Sequence, residues 1–104
     1  VSEEILQEYL RSYKNPDTIH AICEDYRASA SIDLKHDEQD AAIKIQAPLL
    51  AIWGDQSVVG GLYDVKATWK EKATNVVGHA LPCGHAIPEE CPEELTRHLL
   101  DFLK

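Results

Sequence analysis

The 104-residue chain has no methionine, only three cysteines, and ten basic residues against eighteen acidic ones. Each shortage excludes something. A net charge of −8 repels phosphate backbones and anionic headgroups, which argues against nucleic acid and membrane surfaces as partners. No apolar run approaches the ~20 residues of a membrane-spanning helix, and no signal peptide is visible. Cys23, Cys83 and Cys91 cannot all pair within one chain. That points to a reducing compartment, hence the cytoplasm, where a Cys83–Cys91 disulfide is not expected. Removal of an initiator methionine, or truncation of a longer reading frame, would each leave a chain that starts at Val1 with no methionine.

What is present is ordinary for a globular protein: 44% apolar and 27% charged residues. The length allows one domain at most, burying roughly 65% of its unfolded surface. Acidic residues gather at 37–40 and 89–94, where they read as solvated helix starts.

The first part of the chain has helical periodicity. Ser2 can cap a helix with Glu3 and Glu4 in its first turn, and Ile5, Leu6, Tyr9, Leu10 and Tyr13 share one face. Asn15-Pro16-Asp17 ends that helix and starts a second with Asp17 as cap, running to about residue 31 with Ile19, Ile22, Cys23 and Tyr26 on one face. A third is expected from Asp33 through Ala42. Residues 1–44 thus read as a helical cap-like segment or a small bundle.

Residues 45–104 change period. Pro48-Leu49-Leu50-Ala51-Ile52-Trp53 is a continuous apolar run of strand length bounded by Pro and Gly, as in a strand buried on both faces. Residues 54–61 read as a loop, with Gly60-Gly61 supplying flexibility. Residues 63–73 read as a helix with Val65, Trp69 and Ala73 inward, 75–81 as a second strand, and 93–103 as a last helix with Leu95, Leu99, Leu100 and Leu103 apolar. This is a βαβα unit with parallel strands and a right-handed crossover. Two parallel strands leave two open edges and too little core. The unit therefore reads as the edge of a larger sheet, or as a chain that self-associates through that edge.

A tight Cys83-Gly84-His85 turn follows the second strand, and a Pro/Glu segment leads from it into the last helix. A histidine on a short loop held at both ends can be kept in one orientation, as a general base must be. A zinc site from His79, Cys83, His85 and Cys91 is not expected, because the spacing matches no common framework and alternate strand residues diverge. No other metal or cofactor is expected.

Gly84-His85 followed by Pro88-Glu89-Glu90-x-Pro92-Glu93 resembles the catalytic-histidine loop of haloacetate (fluoroacetate) dehalogenases in the α/β-hydrolase family. Glu24-Asp25-Tyr26-Arg27-Ala28 is similar to that family's cap segment, and Pro48 to Gly54 to its strand before the histidine. The likeness is to the C-terminal part of such an enzyme; nothing here corresponds to its first half. The resemblance implies a partial α/β-hydrolase fold and makes His85 the base that activates water against an ester formed on an aspartate, after halide is displaced from a 2-haloacid. It places the Tyr26 hydroxyl in the pocket for the leaving halide; otherwise Tyr26 packs on its apolar helix face with the hydroxyl at the rim.

Trp53 ends an apolar strand and reads first as core, with the substrate pocket as its other candidate place. Asp55 is a candidate for the acid that orients the histidine, although the usual spacing puts that acid at Ser57, and otherwise Asp55 is a turn residue. The dehalogenases take their acid from upstream, and an absent acid at position 57 argues against ordinary epoxide hydrolases. No aspartate here has the Gly-flanked strand–turn–helix context of a nucleophile, so this chain alone is expected to be inactive and to need a missing N-terminal half. The alternatives are a non-catalytic remnant that self-associates, or a part of another α/β-hydrolase such as an epoxide hydrolase or esterase.

Overall fold

A computed structural model describes all 104 residues, which form two compact units, 1–42 and 43–104. The first unit is three helices: α1 (Glu3–Tyr13), α2 (Pro16–Ser29) and α3 (Ile32–Gln39), with α1 packed on α2 and α2 on α3. Ser2 caps α1 by accepting the Ile5 N–H, with Glu3 and Glu4 in the first turn. The cap of α2 is Asn15, not Asp17: the Asn15 side-chain oxygen accepts the Asp17 N–H at 2.9 Å, with Pro16 at the first helical position. Proline has no N–H to satisfy there, so the cap falls before it. Helix α3 ends at Gln39 rather than reaching Ala42. None of the three helices contains a buried residue, and Ile5, Leu6, Tyr9, Leu10 and Tyr13 all remain exposed.

The second unit is built on strands β1 (Leu49–Gly54) and β2 (Val76–Leu81), parallel and in register from Leu49 opposite Val76 to Gly54 opposite Leu81. Between them run α4 (Val58–Leu62) and α5 (Val65–Lys72), and after β2 come α6 (Ile87–Glu90) and α7 (Pro92–Leu103). Successive strand residues face opposite sides. The Cβ position of Gly78 points at Lys66 of α5 and at the Trp53 ring, whereas the His79 ring stacks on His98 of α7 with centroids 4.0 Å apart. Helices α5 and α7 therefore cover opposite faces of the sheet, the layering of an α/β fold.

Several sequence expectations fail here. Residues 54–61 are not wholly loop, because α4 begins at Val58 behind a Ser57 cap. Gly60 is needed for contact rather than flexibility, since a Cβ there would lie 2.4 Å from the Gly54 carbonyl oxygen. Of the residues expected to face inward from α5, Val65 and Ala73 are buried but Trp69 is not, and Leu99, Leu100 and Leu103 of α7 are exposed. Nor is β1 buried along its length: only Ala51 and Gly54 are.

The chain exposes 8048 Å², whereas compact proteins of its mass expose about 5,800 Å², and two separate globules of these lengths about 7,000 Å². The apolar surface that the sequence supplies is thus incompletely covered within this chain. Its one cluster of buried residues is Leu81, Cys83 and Cys91, against which Ile52, Ile87 and Leu95 pack. That cluster lies at the carboxyl end of β2, beneath the His85 loop. No helix is long and apolar enough to cross a membrane.

Candidate active site

In open α/β sheets, ligands bind beyond the carboxyl ends of the strands. Here those ends are Gly54 and Leu81, and the loops leaving them are tied together. Asp55 N–H donates to the Leu81 carbonyl at 2.9 Å and Gln56 N–H to the Cys83 carbonyl at 3.1 Å. The absence of a side chain at Gly54 permits this closeness, because a Cβ there would sit 1.9 Å from the Gly84 carbonyl oxygen and 2.4 Å from that of Cys83.

His85 stands on the second of these loops, exposed, with buried Cys83 two residues before it and Ile87, packed on the same cluster, two residues after. It borders a cleft of about 150 Å³ whose apolar wall is Ile52, Trp53, Val59 and Ile87, with Ser57 at the floor of the β1 loop. The imidazole makes no hydrogen bond within the chain, so both ring nitrogens are available to a water or substrate. Glu90 at the end of α6 accepts the Gly84 N–H at 2.6 Å and the Ala86 N–H at 3.2 Å, bonding the backbone on both sides of His85.

Of the other residues singled out from sequence, Trp53 is half-buried and belongs both to this cleft and to the contact over Gly78. Asp55 is exposed at the start of the β1 loop and makes no hydrogen bond to His85. Tyr26 lies in the helical unit, 75% exposed. Ser57, at the position where an orienting acid was sought, is fully employed as a cap: its hydroxyl donates to the Gly54 carbonyl at 2.6 Å and accepts the Gly60 N–H at 3.1 Å.

Of the four residues weighed for zinc, Cys83 and Cys91 share the buried cluster and His79 and His85 are not part of it. His79 is stacked on His98, and its pKa is held below the usual histidine value by burial, then by the nearby His98, Lys66 and Arg97. The Cys83 thiol is pushed up to about 11, chiefly by burial and then by the adjacent Cys91, with the Glu90 and Asp55 charges adding to the effect. It is therefore a protonated packing group at neutral pH, neither nucleophile nor thiolate ligand. No three His, Cys, Asp or Glu side chains gather as metal ligands.

Glu90 and Gly54 are the residues that sequence reasoning passed over. The available signals were the Pro88-Glu89-Glu90 run just after the histidine and the glycine that closes the apolar strand.

No protein-family model matches the chain. It is 32% identical over 100 residues to a fluoroacetate dehalogenase from a Burkholderia species, spanning 96% of this chain and 33% of that protein. It is 34% identical over 102 residues to the soluble epoxide hydrolase of Corynebacterium sp. (strain C12), spanning 97% and 34%. Among solved structures, an acyltransferase candidate from Salmonella enterica superposes with a TM-score of 0.91 at 57% identity, over 98% of this chain and 34% of that one. An α/β-hydrolase candidate from Nostoc sp PCC 7120 gives 0.94 at 50% identity, over 100% and 36%. The chain spans about a third of the length of the relatives it matches. Its fold is a partial α/β-hydrolase fold, and its sequence is similar to α/β-hydrolases over about a third of their length.

Proposed function

We propose that this chain supplies the general base, His85, to a hydrolytic dehalogenation of a 2-haloacid, and that the nucleophile comes from sequence outside it. The observation that carries the reading is the placement of His85. It stands at the carboxyl end of the parallel sheet, on a loop anchored by buried residues, with a free imidazole beside a small apolar cleft. In the reaction an aspartate oxygen attacks the carbon bearing the halogen, and the halide leaves with the bonding pair. His85 then takes a proton from water as its oxygen attacks the ester carbonyl, and the hydroxy acid departs as the carboxylate re-forms.

Residues 1–44 are read as a cap segment, with the Tyr26 hydroxyl the candidate donor to the leaving halide. Asp55 remains the candidate within this chain for an acid that orients His85, and the other source is upstream sequence. The uncovered apolar surface of the sheet unit fits a remainder of the hydrolase packed against it. The epoxide hydrolase reading has its support in the Corynebacterium relative. It shares the ester intermediate and differs in the electrophile.

The test is a chimera in which the part of the Burkholderia dehalogenase preceding the matched region is joined to this chain, assayed for halide release from haloacetates and for diol formation from epoxides. The dehalogenase reading expects multiple turnovers of halide. It also expects that His85→Gln stops after at most one halide per protein, with the ester trapped on the aspartate. Undiminished turnover by His85→Gln would remove His85 from the chemistry, and diol formation without halide release would favour the epoxide.

A further inference from the structure

The geometry points to Glu90 as the positioning residue for His85, acting through the backbone on both sides of the histidine. This rests on the reading of His85 as the base. A general base works only if its ring is delivered from a defined backbone position, and an exposed loop has no intrinsic reason to hold one. The His85 loop is held from two directions. On one side, the Cys83 and Gly84 carbonyl oxygens are pressed against Gly54. On the other lies the Glu90 carboxylate, with one oxygen accepting the Gly84 N–H at 2.6 Å and the other the Ala86 N–H at 3.2 Å. The ring of contacts is closed by the Glu90 N–H, which donates to the Ala86 carbonyl at 3.0 Å.

Both side-chain bonds have an ionised acceptor, the stronger kind of hydrogen bond. They also use both carboxylate oxygens, so no neutral side chain reproduces them. Gly84 is part of the same device: a Cβ there would lie 2.9 Å from one Glu90 oxygen and 3.1 Å from the other, so a side chain would push the carboxylate off the loop. The pair of bonds brackets His85 and no other residue.

Because Glu90 is exposed, its loss would let water take over both amides. The fold should survive while the loop loosens. That separates a positioning role from a structural one.

The experiment is ¹⁵N NMR and hydrogen exchange on the 104-residue chain, with Glu90→Ala, Glu90→Gln and His85→Gln. Glu90→Ala is expected to speed exchange of the Gly84 and Ala86 amides about tenfold or more, and to lower the His85 backbone order parameter from the rigid value of about 0.85 towards 0.6 or below. The urea midpoint should not move. Glu90→Gln, with one acceptor oxygen left, should rescue one of the two amides and not the other. His85→Gln should leave both amides protected, so the brace is read out independently of whether His85 turns over substrate in the chimera. Unchanged exchange and order in Glu90→Ala would overturn the proposal, as would a loss of order shared by the whole chain.

Discussion

Replacing Gly54 with alanine should be among the most damaging single-methyl changes available in this chain. The added Cβ would meet the Gly84 carbonyl oxygen at 1.9 Å and the Cys83 carbonyl oxygen at 2.4 Å. Both obstacles are backbone, so no rotamer change relieves them, and the two loops must part by more than 1 Å to reach a tolerable 3.0 Å. Lengthened by that amount, the Asp55 N–H to Leu81 bond (2.9 Å) and the Gln56 N–H to Cys83 bond (3.1 Å) pass out of hydrogen-bonding range. Overpacking of this kind costs about 1–3 kcal/mol and two backbone bonds about 1 kcal/mol each, together about 3–5 kcal/mol. A chain of this size has about 5–15 kcal/mol in all. The assay is urea denaturation followed by far-UV circular dichroism, with Gly61→Ala as the paired control. Gly61 has nothing within 4 Å of its Cβ position and lies in α4, so alanine there should be neutral or stabilise by about 0.5–1 kcal/mol. If Gly54→Ala unfolds within about 1 kcal/mol of the unsubstituted chain, or if both variants respond alike, the tie between the two loops is not what this structure says it is.

Two further outcomes follow from the titrating groups. His79 has a folded pKa below its ordinary value, through burial and then the nearby His98, Lys66 and Arg97, with Asp101 the acidic group in the same cleft. The unfolded chain therefore takes up that proton at higher pH than the folded one. The stability contributed by the neutral ring is complete above about pH 6.5 and is lost as the pH falls through that value toward the folded pKa. The urea midpoint should drop between about pH 7.5 and pH 5.5, and less so in His79→Gln; equal drops would show that His79 is not responsible. For the thiols, Cys83 at about 11 carries thiolate in roughly one molecule per thousand at about pH 8. A thiol reagent should label exposed Cys23 first and reach buried Cys83 and Cys91 only after urea is added. Rapid uptake of three equivalents by the folded chain would contradict the burial.

Much of this architecture was legible in one dimension because its signals are local. The Ser2 cap and the spacing of Ile5, Leu6, Tyr9 and Leu10 define α1 without reference to anything distant. The apolar runs at 49–54 and 76–81, separated by a helical stretch long enough for a crossover, suit the parallel pairing that the structure has. Where local signals competed, the reading slipped. Asn15 and Asp17 both suit a helix start, and the proline between them decides for Asn15. Residues 58–62 contain two glycines in five and carry no helical propensity worth the name. They form α4 because Ser57 caps them and because Gly60 can lie against the Gly54 carbonyl.

The sequence by itself determined the βαβα order, the shortage of partners for its apolar faces, and the presence of a histidine on a short loop after the second strand. Only the tertiary structure decided what surrounds that histidine. The nearness of Gly54 to Gly84 joins the ends of two strands separated by a whole crossover. The stacking of His79 on His98, which takes His79 away from the His85 loop, joins a strand to the last helix. The grip of Glu90 on the Gly84 and Ala86 amides spans only a few residues, yet it depends on backbone N–H groups that every residue but proline possesses. Periodicity and capping record which side chains a segment prefers. They do not record which distant backbone atoms will meet, and the candidate site is made of such meetings.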